Sequence, residues 1–96
     1  MNNYEGMFIV KPDLPEEERK VLFNQIQEAI TKNQGGVSSA SIWQDRKKFC
    51  FVIKKFNEGL YYLVNFSLPG LAIKEINNAY KLNENILRVL ITKTEK

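Results

Sequence analysis

The chain has 96 residues, with 14 Lys and Arg against 11 Asp and Glu, a formal charge of +3, and no histidine. At 44% apolar and 26% charged residues it has the composition of an ordinary globular domain whose single core is thin for its surface. The lack of histidine excludes a Ser-His-Asp triad, a His-ligated metal and an imidazole acid or base, while the lone Cys50 excludes an internal disulfide and a cysteine zinc site. No metal or cofactor is therefore expected, and a reducing, cytoplasmic setting is. The first twenty residues lack the basic start and apolar run of a signal peptide, and no stretch approaches the ~18 apolar residues of a membrane span. With no linker, low-complexity segment or repeat, residues 1–96 are expected to form one domain that needs no membrane.

In chain order, Met7-Phe8-Ile9-Val10 is a short apolar run stopped by Lys11-Pro12-Asp13, which predicts a strand and a turn. Two alternations compete within it: Tyr4, Gly6, Phe8 and Val10 on one face, Met7 and Ile9 on the other. Asp13 followed by Glu16 has the form of a helix capping box, with Pro15 in the first turn and Glu16-Glu17-Glu18 at the positive end of the dipole. Leu22, Ile26, Ala29 and Ile30 give that helix one apolar face, and Gly35-Gly36 suits a left-handed exit. Val37 to Ile53 reads as one long, irregular strand. Asn57-Glu58-Gly59 is a hairpin-turn signal, and Leu60 to Phe66 alternates clearly, with Leu60, Tyr62, Val64, Phe66 and Leu68 on one face and Tyr61, Leu63 and Asn65 on the other. After Pro69-Gly70, the residues Ala72, Ile73, Ile76, Ala79 and Tyr80 keep helical spacing, and Ile86 to Thr92 returns to strand.

The order β-α-β-β-α-β predicts an α+β domain of the ferredoxin-like, split βαβ type: a four-stranded antiparallel sheet with two helices on one face. The other face has no helix over it. Trp43, Tyr61 and Leu63 are the candidates for that face, and large apolar side chains there point to an interaction surface.

Nucleotide-binding and nucleophile motifs of the GxGxxG, GxxxxGK[ST] and GxSxG kinds are absent, as are paired cysteines. Glu16-Glu17-Glu18 is explained by a solvated helix start, and Cys50 by a small strand residue, so no catalytic residue and no small-molecule substrate is expected. Charge is uneven: residues 1–43 sum to −2 and residues 44–96 to +5. Within the basic half, Arg46, Lys47 and Lys48 interleave with Phe49 and Phe51, the pattern of phosphate neutralisation beside stacking rings; core phenylalanines on a solvated, edge-protecting strand give the same pattern. An RNA-recognition-motif signature at Lys47 to Lys54 fails because Leu60 to Phe66 is strand where that domain requires a helix.

Several phrases, in order, resemble the bacterial small-subunit ribosomal protein S6 family. They are Tyr4-Glu5-Gly6-Met7-Phe8-Ile9-Val10-Lys11-Pro12-Asp13, Gly35-Gly36-Val37, Trp43 with Arg46-Lys47, Glu58-Gly59-Leu60-Tyr61 with Asn65-Phe66, and Asn83 through Lys93. The departures are Gln44 after Trp43, where the family usually carries glycine, and Phe49-Cys50-Phe51-Val52 where it carries Leu-Ala-Tyr-Pro; they leave the register of the long strand open. The resemblance implies a non-enzymatic constituent of the small subunit that binds the central domain of small-subunit ribosomal RNA as a heterodimer with ribosomal protein S18. It maps RNA contact onto Tyr4, Arg88 and Lys93, to which the charge pattern adds Arg46, Lys47 and Lys48. Trp43, Tyr61 and Leu63 are then the expected protein-partner residues. A net charge of +3 suits a protein that shares its phosphate contacts with a more basic neighbour. Two other classes fit the same fold: a stand-alone interaction module, and a small ferredoxin-like enzyme, for which Lys11-Pro12-Asp13-Leu14 offers no phosphate-cradling loop.

Overall fold

A computed structural model describes residues 2–53 and 55–94; the side chains of residues 45–47 and 49–53 lie outside the description. The first strand, β1 (Asn2–Val10), buries Tyr4, Phe8 and Val10 toward the core, so the even-numbered alternation prevails. Gly6 sits between these residues because a side chain would strike Phe8 and Phe66: a Cβ there would lie 2.9 Å from one ring and 3.3 Å from the other. Helix α1 (Glu16–Lys32) follows, with Leu22, Ile26 and Ile30 buried on one stripe. It starts with Pro15 at the N-cap and no side-chain oxygen closing the cap, so the capping box expected of Asp13 and Glu16 does not form. The fixed φ of proline sets the start instead, and the acidic first turn supplies the favourable charge.

The left-handed exit from α1 falls on Gln34 (φ 67°), not on glycine. Gly35 and Gln34 donate their backbone N–H groups to the carbonyls of Ile30 and Thr31 at 2.9 and 3.1 Å, a Schellman closure. Gly35 is required for a different reason, close approach: a Cβ there would lie 2.5 Å from the Ser67 carbonyl oxygen and 2.8 Å from Ile30 and Leu68 atoms.

The sheet is completed by β2 (Gly36–Ile53), β3 (Phe56–Leu68) and β4 (Ile86–Lys93), in the spatial order β2-β3-β1-β4, all pairs antiparallel. The β2–β3 hairpin closes between Ile53 and Phe56 with Lys55 at φ 73°, so Asn57-Glu58-Gly59 lies within β3 and is not the turn. Strand β2 is single but irregular, with register shifts after Val37, Ile42, Gln44 and Lys48. A short 3-10 turn (Gly70–Ala72) leads into α2 (Ile73–Lys81), whose Ile76 and Tyr80 are buried.

Both helices lie over the face that carries Phe8, Leu60, Tyr62, Val64 and Phe66, and these side chains make one core with those of α1 and α2. Each fully buried aliphatic or aromatic side chain is worth about 1.5–3 kcal/mol relative to exposure. Two polar anchors fix the layers. The Tyr80 hydroxyl donates to the Ile26 carbonyl at 2.6 Å, tying α2 to α1, and Gln27 Nε2 donates to the Tyr62 hydroxyl at 2.9 Å, tying α1 to β3. Burial raises the pKa of both phenols, for Tyr62 against the lowering effect of its Gln27 hydrogen bond, and the nearby Tyr62 raises that of Tyr80 further.

Candidate partner and nucleic-acid interface

The antiparallel register defines the uncovered face row by row. Arg88, Ile9, Tyr61 and Gln44 lie across β4, β1, β3 and β2 in one row; Leu90, Met7, Leu63 and Ser41 form the next; Thr92, Glu5, Asn65 and Ser39 form the third. Because side chains alternate in a strand, all of these project away from the helices. The first row is apolar at its centre, Ile9 and Tyr61, the second is apolar except at Ser41, and the third is polar. Trp43, at the β2 irregularity, packs its ring against Tyr61 with centroids 5.7 Å apart and planes at 58°. Trp43 is 51% exposed and Leu90 48%, while Tyr61, Leu63 and Met7 are half-buried.

The three protein-partner residues expected from sequence are thus brought together on one face. Sequence reasoning missed two others, Met7 and Leu90. Their signal was present in principle, since Arg88, Leu90 and Thr92 alternate with Val89 and Ile91, but only pairing with β1 shows which set faces the helices.

In the polar row Asn65 Nδ2 donates to Ser39 Oγ at 3.0 Å, and next to it Ser38 Oγ donates to the Asn65 backbone carbonyl at 2.9 Å. These bonds hold the first part of β2 against β3 despite the shift after Val37. They keep the apolar rows in register.

The basic residues do not converge on one point. Arg88 is exposed at one end of the uncovered face, beside Ile9 and in the Tyr61 row. Glu5 lies opposite Thr92, four positions along β1 from the Arg88 partner, so it is not a cross-strand partner for Arg88. Lys93 is exposed at the far end of β4 in the alternation of the helix-covered face, about 17 Å along the strand from Arg88 at 3.4 Å per residue. Both are presented from an edge strand, so a polyanion touching both would run along β4.

Tyr4 is placed otherwise than RNA stacking requires. It is paired with Lys93 in register, but its ring is 7% exposed, stacked on Phe66 at 5.6 Å inside the core, and its hydroxyl accepts from Asn2 Nδ2 at 3.3 Å. The even-numbered face of β1 is the helix-covered one, and that is why the ring points inward.

Beyond the last β1–β3 pair, Val10 with Leu60, strands β2 and β3 continue alone as a two-stranded arm. Lys48 is exposed on this arm opposite Glu58, and Lys47 lies opposite Gly59. The side chains of Arg46 and Lys47 lie outside the described residues. The arm and Arg88 share one end of the sheet, while Tyr4 and Lys93 occupy the other.

Among the described residues no three carboxylate or thiol side chains gather as a metal site, and no charged side chain is buried.

The family model described as Ribosomal protein S6 matches residues 3–93. The small ribosomal subunit protein bS6 of Thermoanaerobacter pseudethanolicus is 36% identical over 96 residues, covering 100% of both chains. That of Clostridioides difficile is 38% identical over 91 residues, covering 95% of this chain and 97% of the relative. The crystal structure of 30S ribosomal protein S6 from Thermotoga maritima superposes with a TM-score of 0.88 at 33% identity, covering 97% of this chain and 87% of that one.

Proposed function

The chain belongs to the ribosomal protein S6 family, structural proteins of the small ribosomal subunit and not enzymes, and on that premise we propose that it binds the central domain of small-subunit ribosomal RNA as a heterodimer with ribosomal protein S18. Family membership also places it in the cytoplasm, on the ribosome. The observation that carries the proposal is the pair of apolar rows on the uncovered sheet face, with Trp43, Tyr61, Leu63, Met7 and Leu90 exposed or half-exposed together. A folded chain seldom leaves such a patch in water, and a protein partner supplies the missing cover.

Arg88 borders that patch, so it lies where the partner and the RNA meet. It acts there together with Lys47, Lys48 and Arg46 of the arm, and Lys93 extends the contact along β4. Tyr4 contributes by holding the end of β1 beside Lys93 and not by stacking on a base. At +3 net charge the chain alone makes few phosphate contacts, and since each contact carries a salt-dependent share of affinity, a second basic protein is needed for tight binding.

The test is filter binding of a central-domain RNA fragment across a salt series, with and without S18. Tight binding only in the presence of the partner, weakening with salt, is the expected result. Equal binding with and without S18, or none in either case, refutes the shared interface.

A further inference from the structure

On the helix side of the sheet, a trough runs between α1 and the edge strand β2. Two adjoining depressions of roughly 370 and 420 Å³ lie along it and share Lys20, Phe23 and Ile42. Its floor is apolar and fixed in place. The Phe23 ring lies flat on that of Tyr62, with centroids 3.9 Å apart and planes at 4°, and the Tyr62 hydroxyl is pinned by Gln27. Ile42 forms the wall on the β2 side and is 46% exposed although its register partner, Tyr62, is in the core. Leu14 lies at one end, and the rim carries Arg19 and Lys20 against Glu16, leaving it net positive.

Alongside the trough, β2 is at its most regular. Ser39–Ile42 pairs with β3 without interruption, whereas register shifts precede Ser39 and follow Ile42. Strand β2 is an edge of the sheet, so the outer side of this stretch offers unpaired backbone N–H and C=O groups next to an apolar trough.

We propose that this trough and edge together form a docking site for a short extended segment of a partner protein. The segment adds to β2 as a fifth strand, sets an aliphatic or aromatic side chain on Phe23 and Ile42, and brings a carboxylate to Arg19 and Lys20. Strand addition supplies main-chain hydrogen bonds, and the pocket beside the edge supplies the selectivity. Charge favours a single carboxylate over a nucleic acid, because the rim offers two cations, Arg19 and Lys20, against Glu16, and Glu17 and Glu18 follow in the same turn of α1 beside a separate depression. The trough lies on the opposite side of the sheet from the apolar rows assigned to S18, and an added strand would meet that face only along its β2 edge, at Ser41.

The probe is the blocked peptide Ac-Glu-Val-Leu-Val-Asp-NH2, added to millimolar concentration to the full chain while amide chemical shifts are followed by two-dimensional NMR. Shifts are expected at Lys20, Phe23 and Ala40 to Ile42. The affinity falls about tenfold, equivalent to 1.4 kcal/mol, when both acidic residues of the peptide are replaced by lysine, when alternate peptide nitrogens are methylated, or with Ile42→Asn. Ile42 is half-exposed, so this variant keeps the fold, which the dispersion of its own spectrum verifies. No shifts at millimolar peptide, equal binding of the lysine peptide, shifts confined to the uncovered face, or displacement of the peptide by the RNA fragment would each overturn the proposal.

Discussion

Leu63→Glu tests the uncovered face most directly. Leu63 sits in the middle of the sheet, between Met7 on β1 and Ser41 on β2, and is half-exposed. In the free chain the new carboxylate reaches water, and Glu5 lies one row away on the diagonal at about 7 Å, where screening leaves little repulsion. The free protein should therefore lose less than about 1.5 kcal/mol, mostly from lost packing on Met7 and Tyr61. In a heterodimer seated on this face the same carboxylate is dehydrated against a partner surface that, by this reading, packs on the apolar Leu63 side chain. An unpaired buried charge costs about 3–5 kcal/mol, which at 1.4 kcal/mol per decade weakens the complex some hundredfold or more. Thermal unfolding of the free variant and titration calorimetry with S18 separate the two effects. Leu63→Ala serves as the control, since it removes apolar contact without adding charge and should cost the complex only about 1–2 kcal/mol. A Leu63→Glu chain that is stably folded and still binds S18 within threefold of the parent would show that the partner docks elsewhere.

Three further outcomes follow from the same geometry. Arg88→Ala should leave the fold intact, because the side chain is exposed, yet weaken RNA binding in the presence of S18 by about 1–3 kcal/mol and flatten the salt slope by about one contact; an unchanged slope removes Arg88 from the RNA interface. Gly35→Ala should destabilise the chain by about 1–3 kcal/mol in denaturant titration, since the new Cβ meets the Ser67 carbonyl, which cannot rotate away as a side chain would; a neutral result would mean that the α1–β2 connection shifts easily. Tyr80→Phe keeps the edge-on contact with Phe8 at 4.8 Å but loses the hydrogen bond to Ile26, at a cost of about 1 kcal/mol near neutral pH. Tyr80 and Tyr62 both have folded pKa values raised above 10.0, so their contribution is complete below that pH and is lost as pH rises beyond it. The variant should accordingly show a shallower alkaline decline, and a decline as steep as the parent's would assign it to other groups.

Much of the fold could be read from spacing alone, because period-two and helical alternations are consequences of backbone geometry. The faces of β3 and the apolar stripe of α1 were fixed in this way, and so was the order of elements that leaves one sheet face uncovered. Local chemistry was less dependable where several residues could serve the same end. The start of α1 uses Pro15 where Asp13 offered a side-chain cap, Gln34 takes the left-handed position beside two glycines, and the β2–β3 turn lies before Asn57-Glu58-Gly59. At the α1 exit a long-range contact decides, the approach of Gly35 to Ser67, which leaves no trace in a short window of sequence, while the turn follows from where β2 and β3 begin to pair, Ile53 with Phe56.

The candidate site divides along the same line. Sequence by itself determined which residue types were present: a chain without histidine, a basic second half, large apolar residues at Trp43, Tyr61 and Leu63, and an ordered set of phrases shared with one ribosomal family. Only the tertiary structure decided how they combine. It joined Met7 and Leu90 to the apolar face, turned Tyr4 into the core, and set Arg88 and Lys93 on opposite faces of one edge strand. The reason is register. A residue's face in a strand is fixed by its partner on the neighbouring strand, and a shift of one position would exchange the core face for the binding face.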